Sequence, residues 1–600
     1  MPAARIYTLP TPYTEDQLFD LGFEQSADVM YLTHVDHPPR KLSRYDHASW
    51  ILSVIDFGAT TAIPQGVSIS REATNTGENY RGRPFTYVVT AVNGDTGQES
   101  LQSASVTIEN DLELSAGNIN IVEWDAVTGA SRYNIYRSEN GVFGFIGAAT
   151  DTTFTDRNYI PDLSLSPPEN REPFNGAYDK PARVSFFQQR TVWARTKNKP
   201  NGMYFSQSGD FENLNVSQPL RATDAVTMNL VARQVNAIQH LVPLSKLIVL
   251  TSDNIFAISG EPFTATNVEI EPSGMRGSSR VRPAIVDNMA FFNTALGGAI
   301  RTLNYSFQDD GYTGNDITVF APHLFRGLTV NALSWADYPT QTLWVVRSDG
   351  KVPALTWQRE QDVWGWSLCQ TDGVVEDACT VTENGESVTY FVVRRTVQAQ
   401  QVRFIERIAS PTWASVADAV HLDCSRSYSG TPATVIRGME HLEGRTVNAL
   451  ADGIPRLGLV VSGGKITLPQ AASKVHVGLP YEAWIRTLPP PIQGRDGSQK
   501  GKSQQVTKAV LSVIDTWGLE VGPGRNPAPG AQETSDGECH GFRPPKLDTN
   551  IGNGAVTGPV TGDLHVTLGG TDWRSASVVV RQKMPLPMIL TGISYDLTAP

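Results

Sequence analysis

The run that comes nearest to a chemical motif is the glycine- and lysine-rich segment Gly497–Ser503, GSQKGKS. A Walker-type phosphate loop needs four residues between its two glycines, so that backbone N–H groups can wrap the phosphates. Here only three residues separate Gly497 from Gly501, and Asp496 stands where the first glycine belongs. Three prolines precede the run in place of a buried strand. We predict a flexible basic loop and no nucleotide site.

Two clusters carry side chains that metal ions bind. The first contains His34, Asp36, His37 and His47, but its spacing fits no standard zinc pattern, and two prolines follow His37. The second, Asp309–Asp316, is rich in oxygen ligands but lacks the alternating spacing and the closing glutamate of an EF-hand. We interpret both as surface loops, the second between β units, and predict no metal site.

Candidates for hydrolytic chemistry are equally incomplete. No Gly-x-Ser-x-Gly elbow occurs, and the adjacent carboxylates Glu376 and Asp377 simply follow a predicted turn. Exposed tryptophans could stack on sugars, but in β proteins they more often fill the core, and we expect mostly core positions here. The tryptophans in question are Trp335, Trp344, Trp357, Trp364 and Trp366. We therefore predict no enzyme, no catalytic residue and no cofactor.

Composition narrows the class of protein. The 61 acidic and 49 basic residues give a net charge of −12, and basic residues cluster only in short pairs such as Arg394-Arg395, so we predict no nucleic-acid grip. Four cysteines (Cys369, Cys379, Cys424 and Cys539) are too sparse for a disulfide framework, so we expect them to be reduced. The first residues lack the apolar stretch of a signal peptide, and no 18-residue apolar run predicts a membrane span.

The elements that carry these residues are short strands joined by tight turns. From Thr342 to Ile408, apolar runs are closed by Ser-Asp-Gly, Thr-Asp-Gly and Glu-Asn-Gly, which predict local antiparallel hairpins. Similar units recur every 40 to 50 residues or so between 180 and 410, which favours a β-propeller-like array, with a sandwich array as the alternative. With 51 Gly and 38 Pro and almost no helical periodicity, the fold class is mainly β and multidomain.

Residues 61–168 differ from this array in their sequence pattern. A run around Trp124, WDAVTGASRYNIYR, alternates as sandwich strands do and resembles a fibronectin type III module over about 45 residues. The strand TYVVTAV, which comes late in such modules, comes first here, so the module is permuted or built of two half-units. We predict a β-sandwich insert with Trp124 buried, followed by a proline-rich linker.

The remaining ranges are predicted to be smaller β units. Residues 1–60 form a segment with one clear strand at Trp50–Phe57, too little to fold alone, which we expect to dock on the C-terminal β domain. Residues 411–490 form a small β domain with turns at Asp452-Gly453 and Gly463-Gly464. Residues 491–600 form a C-terminal β segment that contains a long Gly/Pro-rich loop, 522 to about 562.

Eight blocks of the chain, between residue 27 and about 520, are more specific than the patterns above. They are, in order, ADVMYLTHVDHPPRKLSRYDHASWIL, MRGSSRVRPAIVDNMAFFN, DITVFAPHLFRG, WVVRSDGKVPALTWQREQDVWGWSL, YFVVRRTVQAQQVRFIERI, GMEHLEGRTVNALADG, ITLPQAASKVHVGLPY and TLPPP. In this order the blocks resemble the tail nozzle (tail tubular protein B-like) family of short-tailed bacteriophages, with the fibronectin-like part as a variable insert.

The resemblance implies a hexameric ring in the virion tail, assembled in the bacterial host cytoplasm. Such a ring lies distal to the portal and the tail adaptor, holds a channel for phage DNA without sequence-specific binding, and docks fibres or a needle. The family carries no catalytic residues to transfer. Two alternatives remain open at this stage: a receptor-binding or fibre-like tail protein, favoured by the fibronectin-like insert, and a glycan-degrading tail enzyme.

Overall fold

The computed structural model contains about 56% strand and 4% helix, which confirms the mainly β class. It describes residues 5–74, 77–112, 117–218, 220–231, 236–274, 276–296, 298–308, 311–489, 493–494, 497–498, 504–524, 541–547, 558–568 and 576–598. The chain forms two compact units, Pro2–Arg326 (the N-terminal unit) and Gly327–Pro600 (the C-terminal unit). The division falls inside the range that we predicted as one propeller-like array.

The N-terminal segment contains a complete antiparallel sheet rather than a single strand. After a 3₁₀ turn at Glu15–Asp20, the strands follow one another in chain order. They are β1 Gly22–Ser26, β2 Val29–His34, β3 His37–Asp46 and β4 Ser49–Val54. The first hairpin was missed because its turn uses Ala27 in the left-handed region (φ 51°), a conformation that the sequence signals with glycine or asparagine.

The N-terminal sheet packs on the array inside its own unit. Phe57 and Tyr31 place their rings 5.2 and 5.6 Å from the ring of Trp193, which is completely buried. Lys41 and Tyr31 both donate to Glu212, at 2.8 and 3.0 Å. Aromatic burial therefore fixes this sheet within the N-terminal unit. Its predicted docking on the C-terminal β domain concerns the other unit and stays a prediction.

The insert is a two-sheet sandwich. Its strands are β5 Ser68–Glu72, β6 Arg83–Asn93, β7 Val106–Asn110, β8 Ile119–Glu123, β9 Ala130–Glu139, β10 Val142–Ala149 and β11 Thr153–Asp156. One sheet has the order β10-β9-β6-β7 and the other β11-β8-β5, with a shared apolar core. Trp124 is buried in that core with its ring 5.2 Å from Tyr133, which confirms the prediction for this residue. The strand predicted to come first in a permuted module, β6, is central in its sheet.

Hydrogen bonds and ion pairs between polar side chains stabilise the insert and connect it to the array. Inside it, the buried Asp156 accepts from Tyr87 (2.8 Å) and Arg137 (2.6 Å). At its base, the nearly buried carboxylate of Glu99 accepts from Thr90, Asn134 and Tyr136 and pairs with Arg221, at 3.4 Å. The neighbouring Gln98 donates to Asp210. Arg221 and Asp210 belong to the array, so the insert is anchored through side chains as well as through its linkers.

Three consecutive four-stranded meanders follow in the N-terminal unit. A short strand, β12 Ser166–Glu169, pairs with β16 Val216–Gln218. The first meander is β13 Arg183–Phe187, β14 Arg190–Ala194, β15 Gly202–Phe205 and β17 Val226–Asn229. The second is β18 Ile238–Pro243, β19 Leu247–Thr251, β20 Ile255–Thr264 and β21 Asn267–Gly274. The third is β22 Ala284–Val286, β23 Met289–Asn293, β24 Ile300–Ser306 and β25 Gly311–Thr313, with helix α1 at Pro322–Phe325.

These meanders stack face to face as propeller blades do. Strand β19 is buried along its whole length because alternate side chains enter different cores. Leu247 and Val249 pack with the first meander, whereas Ile248 and Leu250 pack with the third. A continuous apolar run, rather than an alternating one, is therefore what a middle blade requires.

The C-terminal unit continues the meander pattern. A four-stranded sheet contains β26 Val330–Ala336, β27 Thr342–Arg347, β28 Val352–Gln358 and β29 Val363–Cys369, with a 3₁₀ turn at Arg359–Gln361. A three-stranded sheet contains β30 Val374–Glu383, β31 Glu386–Val397 and β32 Gln400–Arg407. The Ser-Asp-Gly and Glu-Asn-Gly turns close the predicted hairpins, with Asn384 and Gly385 at φ 51° and 81°.

The predicted Thr-Asp-Gly hairpin is wrong. Residues 371–373 link β29 to β30, which belong to different sheets, and Gly373 is not left-handed. Arg395 holds this link instead: its guanidinium donates to the Asp372 carbonyl (2.6 Å) and the Thr371 hydroxyl (2.7 Å). The same group binds Glu406 at 2.5 and 2.7 Å and Asp423 at 3.1 Å. Tertiary hydrogen bonds, not glycine geometry, set the path of this link.

Two further β units complete the chain. The first has the strand order β33-β36-β34-β35. Its strands are β33 Asp423–Arg437, β34 Thr446–Ala451, β35 Ile454–Val460 and β36 Lys465–Leu479, and 3₁₀ turns lie at Val416–Asp418 and Glu440–Leu442.

The second unit packs the sheet β37-β44-β41 on the sheet β42-β43-β40-β45 around one core. Its strands are β37 Ala483–Arg486, β40 Gln505–Thr516, β41 Glu520–Pro523, β42 Lys546–Leu547, β43 Val560–Thr567, β44 Val578–Gln582 and β45 Ile589–Thr598, and β38 Gln493–Gly494 pairs with β39 Gly497–Ser498. Cys539 and most of the predicted Gly/Pro-rich loop lie outside the described residues.

Candidate functional site: an arginine-rich segment in the N-terminal unit

The histidine cluster predicted from the sequence is partly assembled. His34 and His37 face each other across the β2–β3 turn with ring centroids 5.3 Å apart, whereas His47 lies at the next turn. The ring nitrogens are in use: His34 Nδ1 accepts from the backbone N–H of Asp36 at 3.2 Å, and His37 Nε2 is 2.9 Å from Gln17 Oε1. Among the described residues, no three His, Cys, Asp or Glu side chains are arranged to hold a metal ion.

Burial and a neighbouring lysine shift the pKa values of His34 and Asp36 at this turn. Burial lowers the pKa of His34, and the neighbouring His37 lowers it further. The hydrogen bond from Lys197 lowers the pKa of Asp36, which therefore stays ionised. These groups stabilise a turn, and the lowered pKa of His34 disfavours its charged form.

The other two predicted loops are only partly described. In the Gly497–Ser503 run, Gly497 and Ser498 pair with Gln493–Gly494, and residues 499–503 lie outside the described part of the chain. Asp309 and Asp310 also lie outside it. Asp316, at the end of the second run, accepts from the N–H and hydroxyl of Thr318 at 2.8 and 2.6 Å. That carboxylate therefore has a local structural role.

The adjacent carboxylates of β30 have separate roles. Glu376 forms ion pairs with Arg403 (2.7 Å) and Arg394 (2.8 Å), and the hydrogen bond from Arg403 lowers its pKa. Burial raises the pKa of Asp377. Glu376 thus pairs with two cations across the strands, an arrangement that stabilises a sheet.

The prediction that the five tryptophans are mostly core residues was wrong. Trp335, Trp344, Trp357 and Trp366 are half-buried, and Trp364 is 37% exposed. The reason lies in the sheet: β29, which carries Trp364 and Trp366, is an edge strand exposed along most of its length. Among the described residues, the tryptophans in the buried core are Trp124 in the insert and Trp193, which is completely buried on the interior strand β14.

A basic cluster lies between β21 and β22, where none was predicted from the sequence. We call residues 276–282 (Arg-Gly-Ser-Ser-Arg-Val-Arg) the arginine segment. Arg276, Arg280 and Arg282 are all exposed. Arg301 on β24 is close enough to Arg276 for each charge to affect the other, and it donates to the Gly314 carbonyl. Four arginines are therefore gathered in one region of an otherwise acidic chain.

The arginine segment has a fixed backbone. Ser278 N–H donates to Thr251 O, Ser279 N–H to Asn293 O, and Ala295 N–H to Gly277 O, each at 2.9 Å. A Cβ atom on Gly277 would lie 1.8 Å from the carbonyl oxygen of Ser252, so only glycine fits there. The segment is thus held against two meanders at once.

Its arginines also contact the N-terminal sheet. The guanidinium of Arg282 lies 4.3 Å from the ring centre of Phe23 and donates to Glu24 at 3.3 Å. Arg280 lies 6.0 Å from the ring centre of Phe19. Burial raises the pKa of Glu24, and Arg282 opposes this. The ion pair with Glu24 does not bury Arg282, whose side chain remains half exposed to solvent.

A second layer of positive charge lies beneath the segment. Arg183 is buried and donates to the backbone carbonyls of Asp20 (2.9 Å) and Gln239 (2.5 Å). Burial, with the neighbouring Arg195, lowers its pKa to about 10, so it stays charged at neutral pH. Neutral carbonyls satisfy its N–H groups, and the charge of Asp20 offsets only part of the effect of burial and of Arg195 on its pKa.

His240 connects the two layers. Its Nε2 lies 3.0 Å from the carbonyl of Ser279, which can only accept, so Nε2 carries the proton. Burial, and then the charge of Arg183, lowers the pKa of His240 to about 3, with Arg282 and Arg195 acting in the same direction. A neutral imidazole thus supports the arginine segment from below.

Comparison with known proteins identifies no family. No family model matches the chain, and no curated protein matches it. Among solved structures, it is similar to a Lactobacillus plantarum protein (10% identity, TM-score 0.27, covering 54% of this chain and 96% of the other). It is also similar to the WD40 domain of Neurospora crassa Pan2 (8%, TM-score 0.24, 62% and 84%) and to YCF48 bound to a D1 peptide (10%, TM-score 0.25, 66% and 94%).

Similarities with TM-scores this low do not assign a fold or a function. The propeller-like character of the N-terminal unit follows from the order of the meanders and from the cores that they share.

The described residues include no helix with the length and apolarity needed to cross a membrane.

His240 gives a testable pH dependence. Its folded pKa of about 3 lies below the ordinary value of 6.5, so below pH 6.5 the unfolded chain binds a proton that the folded chain does not. We expect the stability of the N-terminal unit to fall as the pH decreases from 6.5 toward 3, by up to about 1.4 kcal/mol per pH unit from this group. Thermal unfolding of the wild type and H240Q between pH 5 and 7 measures the effect.

The matched control is H47Q, at an exposed turn. H240Q should flatten the dependence of unfolding temperature on pH between 6.5 and 5, whereas H47Q should leave it as in the wild type. Equal slopes for the wild type and H240Q would contradict the assignment.

Proposed function

We propose that this chain is a structural component of a short phage tail: a nozzle-ring subunit that forms the distal DNA-ejection channel and docks tail appendages. The observation that carries the proposal is the set of ordered sequence blocks that resemble the nozzle family. They span the N-terminal sheet, the meanders and the β33–β36 unit.

The architecture supports a scaffold role. The meanders share faces through continuous apolar cores, and the N-terminal sheet and the insert are held by aromatic and ionic contacts. The candidate chemical residues that the structure describes, such as Glu376 and His34, have structural partners. We therefore propose a role without catalysis and without a cofactor.

Charge is consistent with a DNA conduit. Six copies of a chain with net charge −12 would carry about −72 in the proposed ring, which repels DNA and keeps it mobile. The proposed partners are a tail adaptor, fibres or a needle, and phage DNA that passes without sequence-specific binding. The proposed location is the virion tail, after assembly in the bacterial host cytoplasm.

The test is to image purified virions in negative stain with a gold-labelled antibody against this chain. We expect label at the distal end of the tail, and six copies per particle by quantitative mass spectrometry. Label on the capsid, or absence of the chain from particles, would overturn the proposal.

A second candidate function is receptor binding, which one feature of the insert favours. The loop after β11 exposes Tyr159, Leu163 and above all Ile160, which is 88% exposed, beside the exposed Val142 at the start of β10. This apolar loop is held by backbone hydrogen bonds between Phe145 and Asp162. Mass photometry of the isolated protein separates the candidates, because a trimer favours the fibre-like protein and a hexamer favours the nozzle.

A further inference from the structure

We propose that the arginine segment, together with Arg301, is a contact surface for the sugar-phosphate backbone of a nucleic-acid duplex. The first argument is exposure: the side chains of Arg276, Arg280 and Arg282 reach solvent from one short segment. Because the backbone of this segment is hydrogen-bonded to Thr251 and Asn293, the guanidinium groups project from a fixed base.

The second argument is the charge balance. Arg183 and Arg195 lie beneath the segment, and their N–H groups are satisfied by carbonyl oxygens and by the Gln239 amide, not by carboxylates. Three carboxylates interact with these arginines: Glu24 pairs with Arg282, Asp20 acts on Arg183 and Arg195, and Asp316 acts on Arg301. Six arginines, at positions 183, 195, 276, 280, 282 and 301, thus interact with three carboxylates, so positive charge is in excess here although the whole chain is acidic.

The third argument is the match to phosphate. A guanidinium presents a planar fork of N–H donors that binds phosphate oxygens in pairs, which an ammonium group cannot do. Duplex DNA carries one negative charge per roughly 1.7 Å of its axis, so several phosphates lie within the span of a few arginines. An acidic protein surface offers far sparser charge to the same groups. The partner that fits best is thus a duplex backbone, read without regard to base sequence.

This inference goes beyond the proposed function and does not rest on it. A conduit requires only that DNA pass, and the short pairs of basic residues in the sequence predict no surface that binds nucleic acid. The arginine segment instead provides a local, weak and salt-dependent contact on a surface that otherwise repels DNA.

The experiment is a fluorescence anisotropy titration of a labelled duplex of about 30 base pairs with the purified full chain, at 50 and 200 mM salt. We expect binding that weakens as salt rises, with the logarithmic slope of about −0.9 per phosphate contact. The variant R276Q/R280Q should bind at least tenfold more weakly and lose about two contacts from the slope. The variant R276K/R280K, which keeps the charge, should retain the slope.

The matched control is R132Q/R157Q, which removes the same charge from exposed arginines of the insert in the same unit. It should bind like the wild type, and unchanged thermal unfolding of each variant shows that the fold is intact. The inference is overturned if the wild type does not bind at 50 mM salt, or if the control loses as much affinity as R276Q/R280Q.

Competition identifies the polyanion. If vesicles with anionic headgroups or a sulfated polysaccharide bind the segment more tightly than the duplex does, the duplex assignment is wrong. Failure of this experiment leaves the tail location untouched, because the gold label reports position and not DNA affinity. A label on the capsid would likewise overturn the nozzle proposal and leave the duplex contact standing.

Discussion

Replacing Trp193 with alanine is expected to lower the free energy of unfolding of the N-terminal unit by about 3–5 kcal/mol, the range for a large aromatic removed from a core. The indole is completely buried. Its ring lies within 5.6 Å of Tyr31 and Phe57 and 6.3 Å from Phe174. The cavity would therefore open between the N-terminal sheet and the first meander, where neither side can collapse alone.

Chemical denaturation followed by hydrogen exchange measures this effect. We expect faster exchange in β2 and β14 and unchanged exchange in the insert core around Trp124. The control is Y178A, which truncates an aromatic side chain that is 60% exposed in the same unit and should cost less than about 1 kcal/mol. Equal destabilisation by W193A and Y178A would contradict the packing described for Trp193.

Replacing Arg395 with methionine is expected to destabilise the C-terminal unit by about 2–4 kcal/mol. Breaking a buried pair typically costs 3–5 kcal/mol, and partial exposure of Glu406 and Asp423 reduces this. Burial alone would lower the pKa of Arg395, but the hydrogen bonds to Glu406 and the charge of Asp423 raise it above its ordinary value. Removing the guanidinium leaves two carboxylates and the Asp372 carbonyl without their shared donor.

The control variant is R394M, on the next residue of the same strand. Arg394 pairs with Glu376 at 2.8 Å but is 40% exposed, so its loss should cost at most about 1 kcal/mol. Calorimetric unfolding of the three proteins measures the difference. If R395M and R394M unfold at the same temperature, Arg395 does not hold the link between β29 and β30 as described.

The parts of the fold that sequence predicts are those where one residue determines a local conformation. Asn384-Gly385 and Asp452-Gly453 adopt the left-handed backbone that their side chains favour, so the hairpins around them could be placed from sequence alone. Trp124, which directly follows β8, was also placed correctly, because the alternation of Asn120, Val122 and Trp124 matches one buried face. Local chemistry suffices in these places.

Where the sequence misleads, the deciding interaction is distant in the chain. The link at 371–373 looks like a hairpin but is set by Arg395, and Trp364 looks like a core residue but lies on an edge strand. The arginine-rich site combines positions 183, 195, 276–282 and 301, which the meanders bring together. The sequence does contain three arginines within seven residues, Arg276 to Arg282. A search for adjacent basic residues misses them, because no two of the three are neighbours.

The anchor at the base of the insert has a mechanical consequence. Glu99 is held by Thr90, Asn134 and Tyr136 on the insert side and by Arg221 on the array side, and Gln98 donates to Asp210. A force on the insert is therefore transmitted through short side-chain contacts into the first meander, in parallel with the connecting chain segments. The insert is coupled to the meander as a rigid part and not as a module on a tether.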